Sequence, residues 1–167
     1  MQRASTIGVL LKKIYRIYGQ QLLVILQSKG YTDLRPSFLE ILLCLSEKEG
    51  QSIKYIGRYC GLKKQTMTSH LNELEERGYI KRLASEMDKR ENLVYFTEYG
   101  EKFKLSLIEA VSDIEKEFLR LVGDVELERI EKILSNFHSK IETINTTSAL
   151  GRGISLDHLS SMESWNF

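Results

Sequence analysis

Between Ser52 and Gly78 two short helical patterns meet across a single glycine, and no other stretch restricts the possible folds as strongly. Ser52 can accept a hydrogen bond from the first turn of a helix carrying Ile53, Ile56 and Tyr59. Gly61 ends that helix, because glycine enters the left-handed conformation of a C-terminal stop without steric cost. The segment from Lys63 to Arg77 reads as a second helix, with Met67, Leu71 and Leu74 stacked at i, i+4 and i+7 and Gly78 as its stop.

Two segments rich in β-branched and aromatic residues follow, Tyr79 to Ser85 and Leu93 to Thr97, separated by the charged run from Glu86 to Asn92. They read as a β-hairpin with a polar, basic tip. A short helix, a glycine turn, a second helix and a hairpin, in that order, describe a winged helix-turn-helix, whose second helix enters the DNA major groove.

The flanking sequence is helical. Ile7, Leu10, Ile14, Ile17 and Leu22 recur at spacings of three to five in a first helix ending at Gly30. After Pro36, which suits a first turn, Ser37 to Lys48 is apolar around most of its circumference and so belongs at the centre of the fold. Thr97 can cap a helix carrying Phe103, Leu107, Val111 and Ile114, and Asp124 can cap a last one running to Ile144. The expected fold class is mainly α with a small β-hairpin wing. Beyond it, residues 146–167 form a Ser- and Gly-containing tail, read either as disordered or as a short docked helix.

Composition excludes several classes. The chain has 167 residues, 42% apolar and 28% charged, with one proline, a profile of helix-rich globular proteins. No run approaches the roughly 18 apolar residues of a membrane span, and the N-terminus lacks a signal-peptide pattern, so the cytoplasm is the expected compartment. The net charge of +1 conceals an uneven distribution: residues 50–104 hold 11 basic against 8 acidic residues, and residues 105–145 hold 5 against 9. Cys44 and Cys60 form no disulfide framework and read as reduced thiols.

The second helix of the pair carries the functional expectation. With Met67, Leu71 and Leu74 turned inward, Gln65, Ser69 and Asn72 fall on the opposite face, flanked by Thr66 and Thr68. That face is neutral and rich in hydrogen-bonding groups, which suits base edges. Lys63 and Lys64 stand where the helix dipole disfavours cations, so phosphate contact explains them better than helix stability does. In the hairpin, Lys89 and Arg90 are suited to a narrow, electronegative minor groove, with Asp88 as support for the wing.

The run IGRYCGLKKQTMTSHLNELEERGYIKR, followed by MDKRENLVYFTEYGEKF, resembles the MarR (multiple antibiotic resistance regulator) family of winged helix-turn-helix regulators. The family's wing pattern Asp-x-Arg falls on Asp88 and Arg90, and its hydrophobic-Thr-x-x-Gly helix entry on Phe96, Thr97 and Gly100. The resemblance implies base- and phosphate-contacting roles for Gln65, Thr66, Thr68 and Ser69 and a minor-groove role for Arg90. It also implies dimerisation through residues 1–30 and 101–145, a DNA-binding lobe over 31–100, a homodimer on a pseudopalindromic operator, and release by a small aromatic effector near Tyr15, Tyr18 and Phe38. No metal or other cofactor is expected.

Rival readings are an enzyme, a winged-helix module for protein contact, and a redox-responsive regulator using Cys44 or Cys60. His70, His138 and His158 lie far apart without metal-ligand spacing, and neither a phosphate loop nor a nucleophile elbow occurs.

Overall fold

The computed structural model describes residues 2–87 and 89–152, with side chains through Thr143. Six helices and three strands run in the order α1 (Arg3–Ser28), α2 (Pro36–Glu47), β1 (Gln51–Ser52), α3 (Ile53–Tyr59), α4 (Lys64–Glu76), β2 (Ile80–Ala84), β3 (Asn92–Phe96), α5 (Glu98–Val122) and α6 (Asp124–Arg152). Two compact units result, one ending at Ile114 and one beginning at Glu115, so that α5 belongs to both.

In the first unit α2 is the hub. Phe38, Leu39, Ile41, Leu42 and Leu45 are buried, and the helix packs against α1, α3, α4 and β3. Its mostly apolar circumference is thus accounted for by neighbours on several sides. Leu22 and Leu26 of α1, Ile56 of α3, Met67, Leu71 and Leu74 of α4, Tyr79, Ile80, Val94 and Phe96 around the hairpin, and Phe103 and Leu107 of α5 are buried with it. The N-terminal half of α1 behaves differently: Leu10, Ile14 and Ile17 are exposed.

The helix pair forms as its sequence requires. Ser52 Oγ accepts the Tyr55 amide at 3.2 Å, and Gly61 takes a φ of 64° in the turn leading to α4. The hairpin, by contrast, is only part of the sheet. Gln51 and Ser52 pair with Val94 and Leu93, giving a three-stranded antiparallel sheet of order β1-β3-β2 in place of the expected two strands. A two-residue strand has no alternation to detect, and only its partner forty residues later defines it.

The entry into α5 depends on Thr97 and Gly100. Thr97 Oγ1 accepts the Gly100 amide at 3.0 Å and donates to the carbonyl of Gly78, while the Thr97 amide donates to the Tyr79 carbonyl at 3.1 Å. The last turn of the helix pair is thereby tied to the first turn of α5. Gly100 itself lies directly against the Tyr79 carbonyl.

In the second unit α6 starts differently from the sequence expectation. Asp124 is its first helical residue and not its cap; Gly123, at a φ of 87°, precedes it, and the Gly123 carbonyl accepts the Leu127 amide at 3.1 Å. Ending α5 in the left-handed region requires a glycine, and that position then doubles as the start of α6. The acid remains in the first turn, where the helix dipole favours it. Val125, Ile133, Phe137 and Ile141 of α6 are exposed. The helix continues through Arg152, into the first residues of the expected tail, whose remainder lies outside the described residues. Among the described residues no helix is long and apolar enough to cross a membrane.

Candidate nucleic-acid interface

The side of α4 opposite its buried stripe presents Gln65, Thr66, Thr68, Ser69 and Asn72, all exposed. Lys63 stands at the N-cap and Lys64 in the first turn, also exposed, and the cap has no side-chain hydrogen bond. Among the described residues, Lys63, Lys64, Gln65, Thr66 and Ser69 make no side-chain hydrogen bond or ion pair. Thr68 is partly committed, since its hydroxyl donates to the Lys64 carbonyl at 2.8 Å and only its acceptor capacity is left. An uncapped helix start with free amides beside two lysines is a positive surface suited to an anion.

The carboxylates farther along α4 do not oppose this. Glu73 is paired with Arg35 at 3.1 Å and with Arg77 at 3.3 Å. Arg77 also donates to the Asp33 carbonyl and stands 5.4 Å from the Phe38 ring centroid. Glu75 is held by Arg82 of β2, whose hydrogen bond keeps its carboxyl below the ordinary range. Glu73 and Glu75 are therefore neutralised, and the remaining acid of the helix, exposed Glu76, lies in its last turn, about three turns from Lys64, so the basic end is not cancelled.

Ser85 and Glu91 close the wing, the Ser85 amide donating to the Glu91 carbonyl at 2.8 Å just beyond the last strand pair, Ala84 with Asn92. Lys89 and Arg90 are exposed beyond that closure, in a segment separate from α4. Asp88, the expected wing support, lies outside the described residues.

The three aromatics of the expected effector site differ in exposure. Tyr15, half exposed, donates its hydroxyl to Glu40, with half-buried Tyr18 near it. Phe38 is fully buried and meets His70 edge-on at 5.4 Å between centroids. Phe38 is thus a core residue that positions α4.

Cys44 and Cys60 are free thiols, the first buried and the second half-buried. Burial pushes the Cys44 thiol up to about 11 and the Cys60 thiol up to about 12. Neither ionises near neutral pH, and the thiolate is the reactive form. Labelling by iodoacetamide at pH 7 is accordingly expected to be at least about tenfold slower than for an exposed cysteine, accelerating as pH rises. Intact-mass spectrometry over time measures this, and rapid modification of Cys60 at neutral pH would contradict it. Among the described residues no group of three or more His, Cys, Asp and Glu side chains could hold a metal.

Residue-by-residue reading of the sequence missed Arg82. It links a reader-face residue to the wing, since its guanidinium bonds Asn72 at 2.9 Å as well as Glu75. The available signal was an acid and a base seven residues apart across a helix stop, which becomes a contact only when the chain reverses at Gly78.

A bundle in which α3 and α4 are joined by a four-residue turn, backed by a small sheet and exposing one polar helix face, defines the winged helix-turn-helix class of DNA-binding fold. The chain belongs to the MarR family, whose model matches residues 34–92. The transcriptional regulator SarZ of Staphylococcus haemolyticus is 32% identical over 81 residues, which are 48% of this chain and 54% of SarZ, so the match spans about half of that relative's length. A MarR transcriptional regulator from Methanosarcina mazei Go1 superposes with a TM-score of 0.73 at 20% identity, covering 84% of this chain and 99% of the other. FabT of Streptococcus pneumoniae, solved in complex with DNA, does so with a TM-score of 0.69 at 20% identity over 84% and 99% of the two chains. The structural likeness establishes the fold. The family and its relatives are transcriptional regulators, not enzymes.

Proposed function

We propose that this chain is a sequence-specific regulator of transcription that binds duplex DNA as a homodimer on a pseudopalindromic operator, with α4 in the major groove and the wing tip at the adjacent minor groove. The observation that carries this reading is the unpartnered, exposed run Lys63, Lys64, Gln65, Thr66 and Ser69 on a helix whose other side is core and whose acids Glu73 and Glu75 are already paired. In this reading Lys63, Lys64 and the free amides of α4 meet phosphate; Gln65, Thr66, Thr68 and Ser69 meet base edges and the flanking backbone; Lys89 and Arg90 follow the minor groove.

Dimerisation is supported by apolar residues that one chain leaves uncovered. Leu10, Ile14 and Ile17 of α1 and Ile130, Ile133 and Phe137 of α6 are exposed, more apolar surface than a monomer ordinarily leaves in contact with water. A two-fold dimer would set two copies of α4 about 34–36 Å apart, one turn of duplex.

Fluorescence anisotropy with a duplex selected from a random library tests the assignment. Two protomers are expected per duplex. Gln65→Ala should reduce discrimination at one base pair of each half-site by about 1–3 kcal/mol, and Arg90→Ala should weaken binding broadly, most at A·T-rich flanks. If both variants bind as the unmodified chain does, this surface is not the one that meets DNA.

A further inference from the structure

Asn72 lies one turn beyond Ser69 and two beyond Gln65 on the same exposed face of α4. An unconstrained asparagine there would suit adenine, accepting from N6 and donating to N7. Asn72 is constrained. Arg82 Nη2 donates to its Oδ1 at 2.9 Å. A guanidinium has donors only, so the amide oxygen must face Arg82 and the amide nitrogen must face away.

Arg82 is itself held. Its Nε donates to Glu75 Oε2 at 2.9 Å, and its backbone amide donates to Glu75 Oε1 at 3.1 Å. That amide needs a partner outside the sheet because β2 is an edge strand. One carboxylate therefore grips both the backbone and the side chain of Arg82, and the guanidinium is presented to Asn72 in a fixed position. Any donor approaching the Asn72 oxygen, adenine N6 included, also meets the positive charge of Arg82.

Resting on the reading of α4 as the major-groove helix, we infer that Asn72 is a specificity-determining residue that offers its N–H groups alone, and so selects the two-acceptor edge of guanine, O6 and N7, over adenine at one position of each half-site. Arg82 and Glu75 are the positioning residues that impose this choice from the wing.

Sequencing of duplexes selected from a randomised library by the full chain, compared with Asn72→Ala and Arg82→Lys, tests the inference. At one position per half-site the unmodified chain should prefer G·C by about 5- to 10-fold, with Asn72→Ala abolishing that preference and no other. Arg82→Lys keeps a charge for Glu75 but loses the planar fork, and should move the same position toward A·T. The alanine comparison is decisive by itself, because Asn72 is exposed and Arg82 keeps Glu75 without it. An adenine at the responsive position, a uniform loss over all sequences as from a phosphate contact, or an unchanged motif would each overturn the inference while leaving the α4 reading intact. If the unmodified chain selects no motif, the α4 reading fails and this inference with it.

Discussion

Replacing Gly100 with alanine is expected to destabilise the chain by about 3 kcal/mol, the upper range for overpacking, which corresponds to about a 10 °C fall in melting temperature for a chain of this size. A Cβ at Gly100 would lie 1.9 Å from the Tyr79 carbonyl oxygen and 2.9 Å from Cδ1 of Phe96. Neither neighbour can withdraw cheaply. The Tyr79 carbonyl accepts the Thr97 amide, and the Phe96 ring is buried. Alanine is ordinarily the better helix former by about 1 kcal/mol, so the sign of the effect is itself informative. Gly19→Ala in α1 is the control: a Cβ there meets nothing within 4 Å, and the change should be neutral or mildly stabilising. Thermal unfolding followed by circular dichroism measures both, and an unaltered midpoint for Gly100→Ala would mean that α5 does not approach Tyr79 so closely.

The largest effect expected of any single variable is that of salt on duplex binding. Lys63, Lys64, Lys89 and Arg90 give four exposed cations per protomer and eight in the proposed dimer. If most of them neutralise phosphates, the log-log slope of affinity against salt approaches about −0.9 per contact, and raising salt from about 50 to 200 mM should cost about 10³- to 10⁵-fold in affinity. Lys63→Ala removes one contact from each protomer, so it should flatten the slope of the dimer by about two and lower affinity for all sequences alike, which separates it from a base reader such as Gln65. Anisotropy titrations across the salt range supply these slopes. A response near zero would turn the reading toward a winged-helix surface that engages a protein, where no condensed counterions are released.

Much of the architecture was legible because it is local. The stripe Met67, Leu71, Leu74 sets which side of α4 is covered, and hence which side is exposed, from helical spacing alone. The Ser52 and Thr97 hydroxyls and the stops at Gly61 and Gly78 marked element ends within a residue or two, since capping is decided inside one turn. Where a local rule had two solutions it failed: Asp124 has a good capping side chain, yet the glycine before it served both helices.

Pairings between distant residues were not legible. β1 exists only because Gly50, Gln51 and Ser52 come beside Val94 and Leu93, and two residues carry no period of their own. The family resemblance names Phe38 as a pocket aromatic, although an aromatic at helical spacing is more often core, and it is buried against His70 and Arg77.

The sequence by itself determined the helix-turn-helix order, the polar identity of the outward face of α4 and the basic character of the wing tip, because periodicity, caps and charge are properties of neighbouring residues. Only the tertiary structure decided that Glu73 and Glu75 are neutralised, that Gly100 must lack a side chain and that the Asn72 carbonyl accepts from Arg82. Glu73 is met by Arg35 from the start of α2 and by Arg77 one turn on, whereas the others depend on the chain doubling back after Gly78, which brings β2 and the start of α5 against the end of α4, and a contact between distant residues leaves no repeat in the sequence to announce it.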